Sequence, residues 1–311
     1  MTDILLIIEK QKELASMPEH VVLQKVWSLD QSFDIFHGNY LELKKQLDLH
    51  TNMPDALLMW DVKNKHVLIM SQKEASRLLH NYVASAMSLI EHTRKLYKEL
   101  YEPDDIFPEY KDKIQSHFKS NNLASFVICL RVYCQHYKSA PIISTMSYSA
   151  EEPVLKARLK INKYELEKYS GWKAHAKKFL RQQQDSIDLL KVVDDYYELV
   201  MDFRTWFTDN QKRIHAEDFE KLSQKQKELA QLVIPYLLQP IQTIKEESSD
   251  PNLSPDDIFV PMLSQKEWSQ LVQSPPNSSE RCEMLISFLE NKADLSDEHK
   301  NQIRGLYCID T

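Results

Sequence analysis

Glycine is nearly absent from this chain: only three glycines, Gly38, Gly171 and Gly305, occur among its 311 residues. Glycine permits the unusual backbone angles with which a loop wraps closely around a phosphate. The glycine-rich loops of nucleotide sites and the Gly-x-Ser-x-Gly turn of serine hydrolases are therefore absent from the sequence. Leu, Lys, Glu and Gln are abundant instead, and all four favour helices. The composition thus predicts a mainly α-helical protein.

Apolar residues recur at helical spacing through several long segments of the chain. The clearest helix is predicted for residues 71–101, because Ser71 followed by Glu74 is typical of a helix start. Further helices are predicted at residues 9–16, 42–49, 108–119, 172–183, 186–210, 217–238 and 279–292. Pro235 and Pro240 are expected to break the helix at 217–238.

Two stretches carry strand patterns. Basic and apolar residues alternate between positions 155 and 161, which predicts a strand with one basic and one apolar face. Residues 142–148 are its expected hairpin partner. The apolar run at residues 66–70 predicts a short buried strand that follows a turn at residues 61–65.

Domain boundaries are predicted where the character of the sequence changes. Residues 1–70 are interpreted as an N-terminal accessory region, and residues 71–244 as a helical domain with the hairpin inserted. From residue 245 onward, prolines interrupt a stretch rich in Ser and Asp. This pattern is typical of a linker, so residues 245–311 are predicted to be an acidic linker followed by a C-terminal helix.

Charge is unevenly distributed along the chain. The net charge is −7, which argues against a protein coated for binding long nucleic acids. Residues 153–181, however, contain nine basic and two acidic residues. Lys156, Arg158 and Lys160, on one face of the predicted strand, are candidate contacts for RNA phosphates. A solvated surface is the alternative interpretation of such a run.

The four cysteines, at positions 129, 134, 282 and 308, form no Cys-x-x-Cys motif, and no histidine pair has the spacing of a zinc site. We therefore predict neither metal nor other cofactor. A signal peptide and a segment of transmembrane length are also not found. The sequence thus predicts a reduced, cytoplasmic protein that does not contact membranes.

One predicted helix carries the candidate chemistry. Asn121 or Asn122 is expected to cap it, and Pro141 is expected to end it near Tyr137 or Lys138. His136 then lies in the last turn, where the helix dipole favours a protonated imidazole. Arg131, five residues earlier, could hold a phosphate. Five residues turn a helix through about 500°, so the two side chains point about 140° apart and would converge only across a dimer.

The block from Leu130 to Ile142 (LRVYCQHYKSAPI) resembles the motif of the HEPN superfamily of helical ribonucleases. The helical segment 77–94 is similar to the first long helix of large bacterial members, and residues 108–113 are similar to the segment between the two helices. The likeness covers residues 71–210. It implies an antiparallel helical bundle that dimerises, with Arg131 and His136 as the catalytic pair. It also implies Asn81 as a supporting polar residue.

The resemblance further implies metal-independent RNA cleavage in a toxin–antitoxin, antiphage or RNA-processing role. His136 would act as general base or acid and Arg131 would stabilise the transition state. Val132 departs from the polar residue of most active members. One alternative is therefore a catalytically silent module that binds RNA or nucleotides and acts through a partner. Another is a helical scaffold whose C-terminal segment docks a partner protein.

Overall fold

The computed structural model describes residues 2–148, 155–247 and 255–307. The structure is 77% helical and contains one small antiparallel sheet of three strands, so the prediction of a mainly helical fold with a hairpin is confirmed. In the described residues, no helix has both the length and the apolar character needed to cross a membrane.

Fourteen α-helices and three strands are defined in the described parts of the chain. The helices are α1 (Thr2–Ser16), α2 (Pro18–Asp48), α3 (Met53–Trp60), α4 (Lys65–Leu100), α5 (Glu109–Ile114), α6 (Asn122–His136), α7 (Lys163–Glu167), α8 (Ala174–Gln182), α9 (Leu189–Ile214), α10 (Ala216–Glu247), α11 (Pro255–Phe259), α12 (Gln265–Leu271), α13 (Ser279–Glu290) and α14 (Asp297–Leu306). The strands are β1 (Ile142–Tyr148), β2 (Leu155–Asn162) and β3 (Ser186–Asp188).

The chain divides into two compact units. The central unit is Gln24–Ile214, and the terminal unit combines Met1–Leu23 with His215–Thr311. The limits of these two units differ from the domain boundaries at residues 70 and 244 that the sequence suggested. Those domain boundaries stay a prediction.

The core of the central unit is rich in aromatic side chains from α2, α4 and α9. Phe36, Tyr82 and Tyr196 are each 1% exposed or less. The Phe36 and Tyr82 rings stack with centroids 5.1 Å apart, and Tyr196 meets both rings edge-on. The Tyr82 hydroxyl donates to the Val193 carbonyl at 3.0 Å, which satisfies a buried polar group. The sequence predicted the helices that contain Tyr82 and Tyr196, but it predicted none over residues 18–41, so the part of this core that α2 supplies was missed.

The predicted strand at residues 66–70 is wrong, because these residues form the first turns of α4. The Asp61 side chain accepts from the Lys63 amide and caps a 3₁₀ turn at Val62–Asn64, which leads directly into the helix. Met70 is 61% exposed, so the run is not buried either. A short apolar run fits strand and helix equally well, and here the preceding capped turn starts a helix.

The sequence suggested that Ser71 caps the start of a helix. Ser71 lies inside α4, however, because this helix begins at Lys65. Its hydroxyl instead accepts from Gln46 Nε2 at 2.7 Å and lies 2.7 Å from His50 Nε2. His50 is completely buried, and its Nδ1 has no hydrogen-bond partner in the described residues. Burial lowers the pKa of His50 below its ordinary value of 6.5, since a charged ring would be poorly solvated there.

His50 is expected to make the central unit less stable in mild acid. Below about pH 6.5 the unfolded chain protonates this histidine while the folded chain resists protonation, so the free energy of unfolding falls as pH falls. We expect His50→Gln to flatten this loss between pH 7 and pH 5 in urea unfolding experiments. His66→Gln, at an exposed position, is the matched control. Equal pH slopes for the wild type and His50→Gln would contradict the prediction.

The sheet joins the hairpin to a strand that the sequence did not reveal. β1 and β2 pair antiparallel from Ile142 opposite Ile161 to Tyr148 opposite Leu155, as predicted. Residues 186–188 were expected to begin a helix, but they form β3 beside the end of β2, and α9 starts at Leu189. Gln72 donates to Ser144 Oγ at 2.9 Å, which connects α4 to β1.

The terminal unit corrects two further predictions. α10 continues as one helix through Pro235 and Pro240; Ile234 and Leu238 are buried, and this packing compensates for the hydrogen bonds that proline removes. Residues 255–278 contain α11 and α12 and are not a linker, whereas residues 248–254 lie outside the described residues. Phe259, Leu271 and Leu285 are fully buried in the core of this unit.

Candidate functional site

The candidate site lies at the C-terminal end of α6. The Asn121 side chain accepts from the Ala124 amide and caps the start of the helix, as predicted. Phe126, Leu130 and Tyr133 are fully buried and fix the helix in the core. The helix ends at His136, five residues before Pro141, so the predicted end of α6 is confirmed.

Arg131 is half-buried on α6. Its Nε atom is buried and has no hydrogen-bond partner in the described part of the chain. A buried donor without a partner costs free energy and calls for an explanation.

His136 is exposed in the last turn of α6. Because α6 is a continuous helix from Asn122 to His136, the side chains of Arg131 and His136 leave its axis about 140° apart. A single chain therefore does not bring the two groups together.

Asn81 lies in a groove of about 530 Å³ between α4 and the end of α6. The groove is also lined by Lys73, Ser76, Arg77, His80, Cys134, Ser139 and Ala140. Burial raises the pKa of the Cys134 thiol to about 12, so this cysteine remains a neutral thiol at physiological pH. Neither Arg131 nor His136 lines the groove, although Cys134 lies one helical turn beyond Arg131. The structure thus places Asn81 near the end of α6 but does not join it to the predicted pair.

The three basic residues of β2 share one face of the hairpin, opposite the buried Ala157, Leu159 and Ile161. Lys160 pairs in register with Ile143, and Lys156 pairs with Ser147 near the far end. Four residues of strand separate them by about 13 Å, so Lys160 is much closer to α6. Arg158 is 3.8 Å from Asp188 in an ion pair, which reduces its charge available to a ligand.

A surface that the sequence did not reveal lies beside His136. The hairpin returns the chain to the end of α6, where the Asn162 amide donates to the Pro141 carbonyl at 2.9 Å. This contact places α7 next to Tyr137 and Lys138. We call the residues Tyr137, Lys138, Tyr164 and Lys168 the aromatic–basic patch.

The aromatic–basic patch is solvent-accessible. Tyr137 is 55% and Tyr164 is 67% exposed, which is unusual for such large rings. The Lys168 ammonium lies 4.5 Å from the centre of the Tyr164 ring and also interacts electrostatically with Tyr137. Glu165 pairs with both lysines, at 2.6 Å and 3.7 Å. Exposed aromatic rings beside basic side chains are typical of surfaces that bind single-stranded nucleic acids.

The described residues contain no group of three or more His, Cys, Asp or Glu side chains that could hold a metal ion. Cys129 and Cys282 are buried free thiols. The titratable groups at the end of α6 include His136, Tyr137 and Lys138.

The chain matches no protein-family model, no curated protein and no solved structure. The resemblance to HEPN ribonucleases consequently depends only on the residues quoted from this sequence.

Proposed function

We propose that this protein is a metal-independent endoribonuclease of HEPN type that works as a dimer. The observation that supports the proposal best is the exposed His136 at the end of α6, directly beside the aromatic–basic patch. A proton-transferring group and a surface suited to single-stranded RNA thus adjoin each other. Arg131 on the same helix supplies the cation that this chemistry needs.

The proposed chemistry needs only these side chains and the RNA. His136 removes the proton from a ribose 2′-hydroxyl, whose oxygen attacks the adjacent phosphorus while the 5′-oxygen of the next nucleotide leaves. The protonated His136 then returns a proton to that leaving oxygen, directly or through a water molecule. Arg131 stabilises the additional negative charge on the phosphate during the transfer. DNA lacks the attacking hydroxyl, so it is not a substrate.

Bases of the bound strand would stack on the exposed rings of the aromatic–basic patch. Stacking depends little on base identity, which suits a nuclease with broad sequence tolerance. Lys160, near the α6 end of β2, would contact a phosphate. Lys156 and Arg158 would extend this path along the hairpin.

A second copy of the chain would complete the site. Apolar side chains are exposed along α3, the 3₁₀ turn and the start of α4, among them Leu58 at 64%, Val62 at 88% and Met70 at 61%. Adjacent apolar residues at such exposure are typical of protein interfaces. These exposed apolar residues come shortly before the α4 residues that line the groove, and Cys134 of α6 lines the same groove. They therefore lie at the same end of the central unit as His136.

The direct test is cleavage of a labelled single-stranded RNA by the full chain in excess chelator. We expect cleavage of RNA, and none of the same sequence as DNA or with a 2′-deoxy nucleotide at the cleavage position. Products with a 2′,3′-cyclic phosphate would identify the hydroxyl as the attacking group. RNA binding without turnover would replace this proposal with the silent binding module.

Removing the rings of the aromatic–basic patch is expected to weaken RNA binding. Each stacked base contributes about 1–3 kcal/mol, so Tyr137→Ala/Tyr164→Ala should lower affinity by about tenfold or more. Fluorescence anisotropy of a labelled RNA, measured in a His136→Ala background to prevent turnover, gives the dissociation constant. Trp27→Ala, at a 41% exposed ring on α2, is the control. Equal affinity for both variants would remove the patch from the binding surface.

A further inference from the structure

A second candidate site lies in the central unit, on the first half of α6. It is a cavity of about 500 Å³ between α4, α5, α6, α8 and α9. Ile128, one of its lining residues, is eight residues before His136, or about 12 Å along the helix. The cavity is therefore distinct from the candidate nuclease site.

The body of the cavity is apolar. Its walls include Leu89, Ile90, Ile114, Phe118, Ile128 and Val200. A volume of this size is within the range of pockets that enclose small organic molecules, and such pockets combine apolar walls with a few polar groups. The occupant should therefore have a substantial apolar body.

The mouth of the cavity is basic. Arg94, Lys119 and Lys173 line it and are exposed, and no Asp or Glu is among the lining residues. Arg94 forms an ion pair with Glu91 at 2.9 Å, whereas Lys119 and Lys173 have no ion pair with any described residue. The lining thus carries an excess of positive charge that an anionic group would complement.

Two buried tyrosines add hydrogen-bond donors without partners. Tyr196 is 1% and Tyr110 is 7% exposed, and both line the cavity. Neither hydroxyl has a hydrogen-bond partner in the described residues. Burial raises the pKa of Tyr110 to about 12 and that of Tyr196 further, so both remain neutral donors. The positive charge of Arg94 opposes this rise in the pKa of Tyr110.

We propose that this cavity binds a small amphipathic anion, a carboxylate carried on an apolar body. The carboxylate lies at the mouth among Arg94, Lys119 and Lys173, and the apolar body fills the interior. The hydroxyls of these two lining tyrosines can donate to an acceptor-bearing ligand but not to a hydrocarbon. The first turn of α8 supports this arrangement: Lys173 at its N-cap makes no side-chain cap, and Ala174 and His175 line the cavity.

His175 is held in place at the mouth. Its Nδ1 lies 2.9 Å from Asn122 Oδ1 at the start of α6. The other ring nitrogen of His175 has no hydrogen-bond partner in the described residues. The cavity would thereby connect α6 and α8 through one bound molecule.

The test is calorimetric titration of the full chain with dodecanoate and with dodecyltrimethylammonium, both below their micelle concentrations. The two probes share a chain length and differ in the sign of the head group. We expect one dodecanoate per chain and at least about tenfold weaker binding of the cation. Lys119→Glu/Lys173→Glu should weaken dodecanoate by about tenfold or more, because two attractive charges become repulsive.

Two variants locate the binding. Lys178→Glu, at an exposed position on α8 outside the cavity, should bind dodecanoate as the wild type does. Ile128→Trp should fill the cavity and block binding, with thermal unfolding as the check that the chain is folded. Failure of dodecanoate to bind, equal binding of the two probes, or undiminished binding to a folded Ile128→Trp would each overturn the proposal. None of these outcomes depends on whether the protein cleaves RNA.

Discussion

Replacing His136 by alanine is expected to abolish RNA cleavage and to leave the fold intact. General acid–base catalysis by one side chain contributes roughly 100- to 10,000-fold to a rate. The cleavage rate of the variant should therefore be lower than that of the wild type by at least about 100-fold. His136 is exposed at a helix end and makes no contact that holds the core. Initial rates on a labelled RNA in excess chelator give the comparison, and circular dichroism checks the fold.

The control for this experiment is His299→Ala, the same chemical change at a half-buried position in the terminal unit. It should cleave RNA at the wild-type rate. Arg131→Ala should lose activity as His136→Ala does, because both side chains act on one phosphate. A His136→Ala chain that cleaves as fast as the wild type would show that another group transfers the proton.

Arg281→Met is expected to destabilise the terminal unit by about 3–5 kcal/mol, because it leaves a buried carboxylate without its partner cation. Asp256 is fully buried, and Arg281 Nε lies 2.7 Å from its Oδ2. Nε–H is poorly aligned for a hydrogen bond to that oxygen, so charge attraction is the main interaction. Arg281 Nη1 donates to the Ser274 carbonyl at 3.1 Å, and the Tyr307 hydroxyl donates to Asp256.

Hydrogen exchange of the α13 amides reports on this unit alone and measures the change. Arg304→Met is the matched control: Arg304 pairs with Glu283 at 2.7 Å on the surface, and loss of an exposed pair has a small effect. The double variant Arg281→Met/Asp256→Leu should recover much of the lost stability, because no buried charge remains. Equal protection of α13 in the wild type and Arg281→Met would contradict the assigned role of the ion pair.

Local signals predicted α6 and the hairpin well. The cap at Asn121 and the stop before Pro141 are encoded within a few residues of the helix, so they could be identified without tertiary information. The alternation of basic and apolar residues in β2 is likewise a local pattern, and the apolar residues form the buried face of the strand. Both elements bear the predicted site residues, which explains why the position of His136 could be anticipated.

Identical sequences with different structures show where local signals fail. Pro103–Phe107 and Pro255–Phe259 both have the sequence Pro-Asp-Asp-Ile-Phe. The first is a turn with Asp105 at a positive φ of 50°, and the second is helix α11. Phe107 packs on Tyr101 and Phe207, whereas Asp256 within α11 pairs with Arg281. These partners lie up to about a hundred residues away, so the pentapeptide alone could not decide between turn and helix.

The aromatic–basic patch could not be predicted for a similar reason. Tyr137 and Tyr164 are separated by the whole hairpin, and only its antiparallel pairing returns α7 to the end of α6. The basic run around β2 was visible in the sequence. The ion pairs that reduce the charge of Arg158 and Lys168 required the structure. Tertiary contacts therefore changed the expected RNA surface more than the expected catalytic pair.

The most direct test of the central claim is complementation between two inactive chains. Arg131→Ala and His136→Ala are prepared separately and then mixed under conditions that allow subunits to exchange. If Arg131 of one copy acts with His136 of the other, each mixed dimer contains one intact site, and the account predicts that mixing restores RNA cleavage. A mixture that forms mixed dimers and remains inactive would contradict the shared site, as would a wild-type chain that cleaves RNA as a monomer.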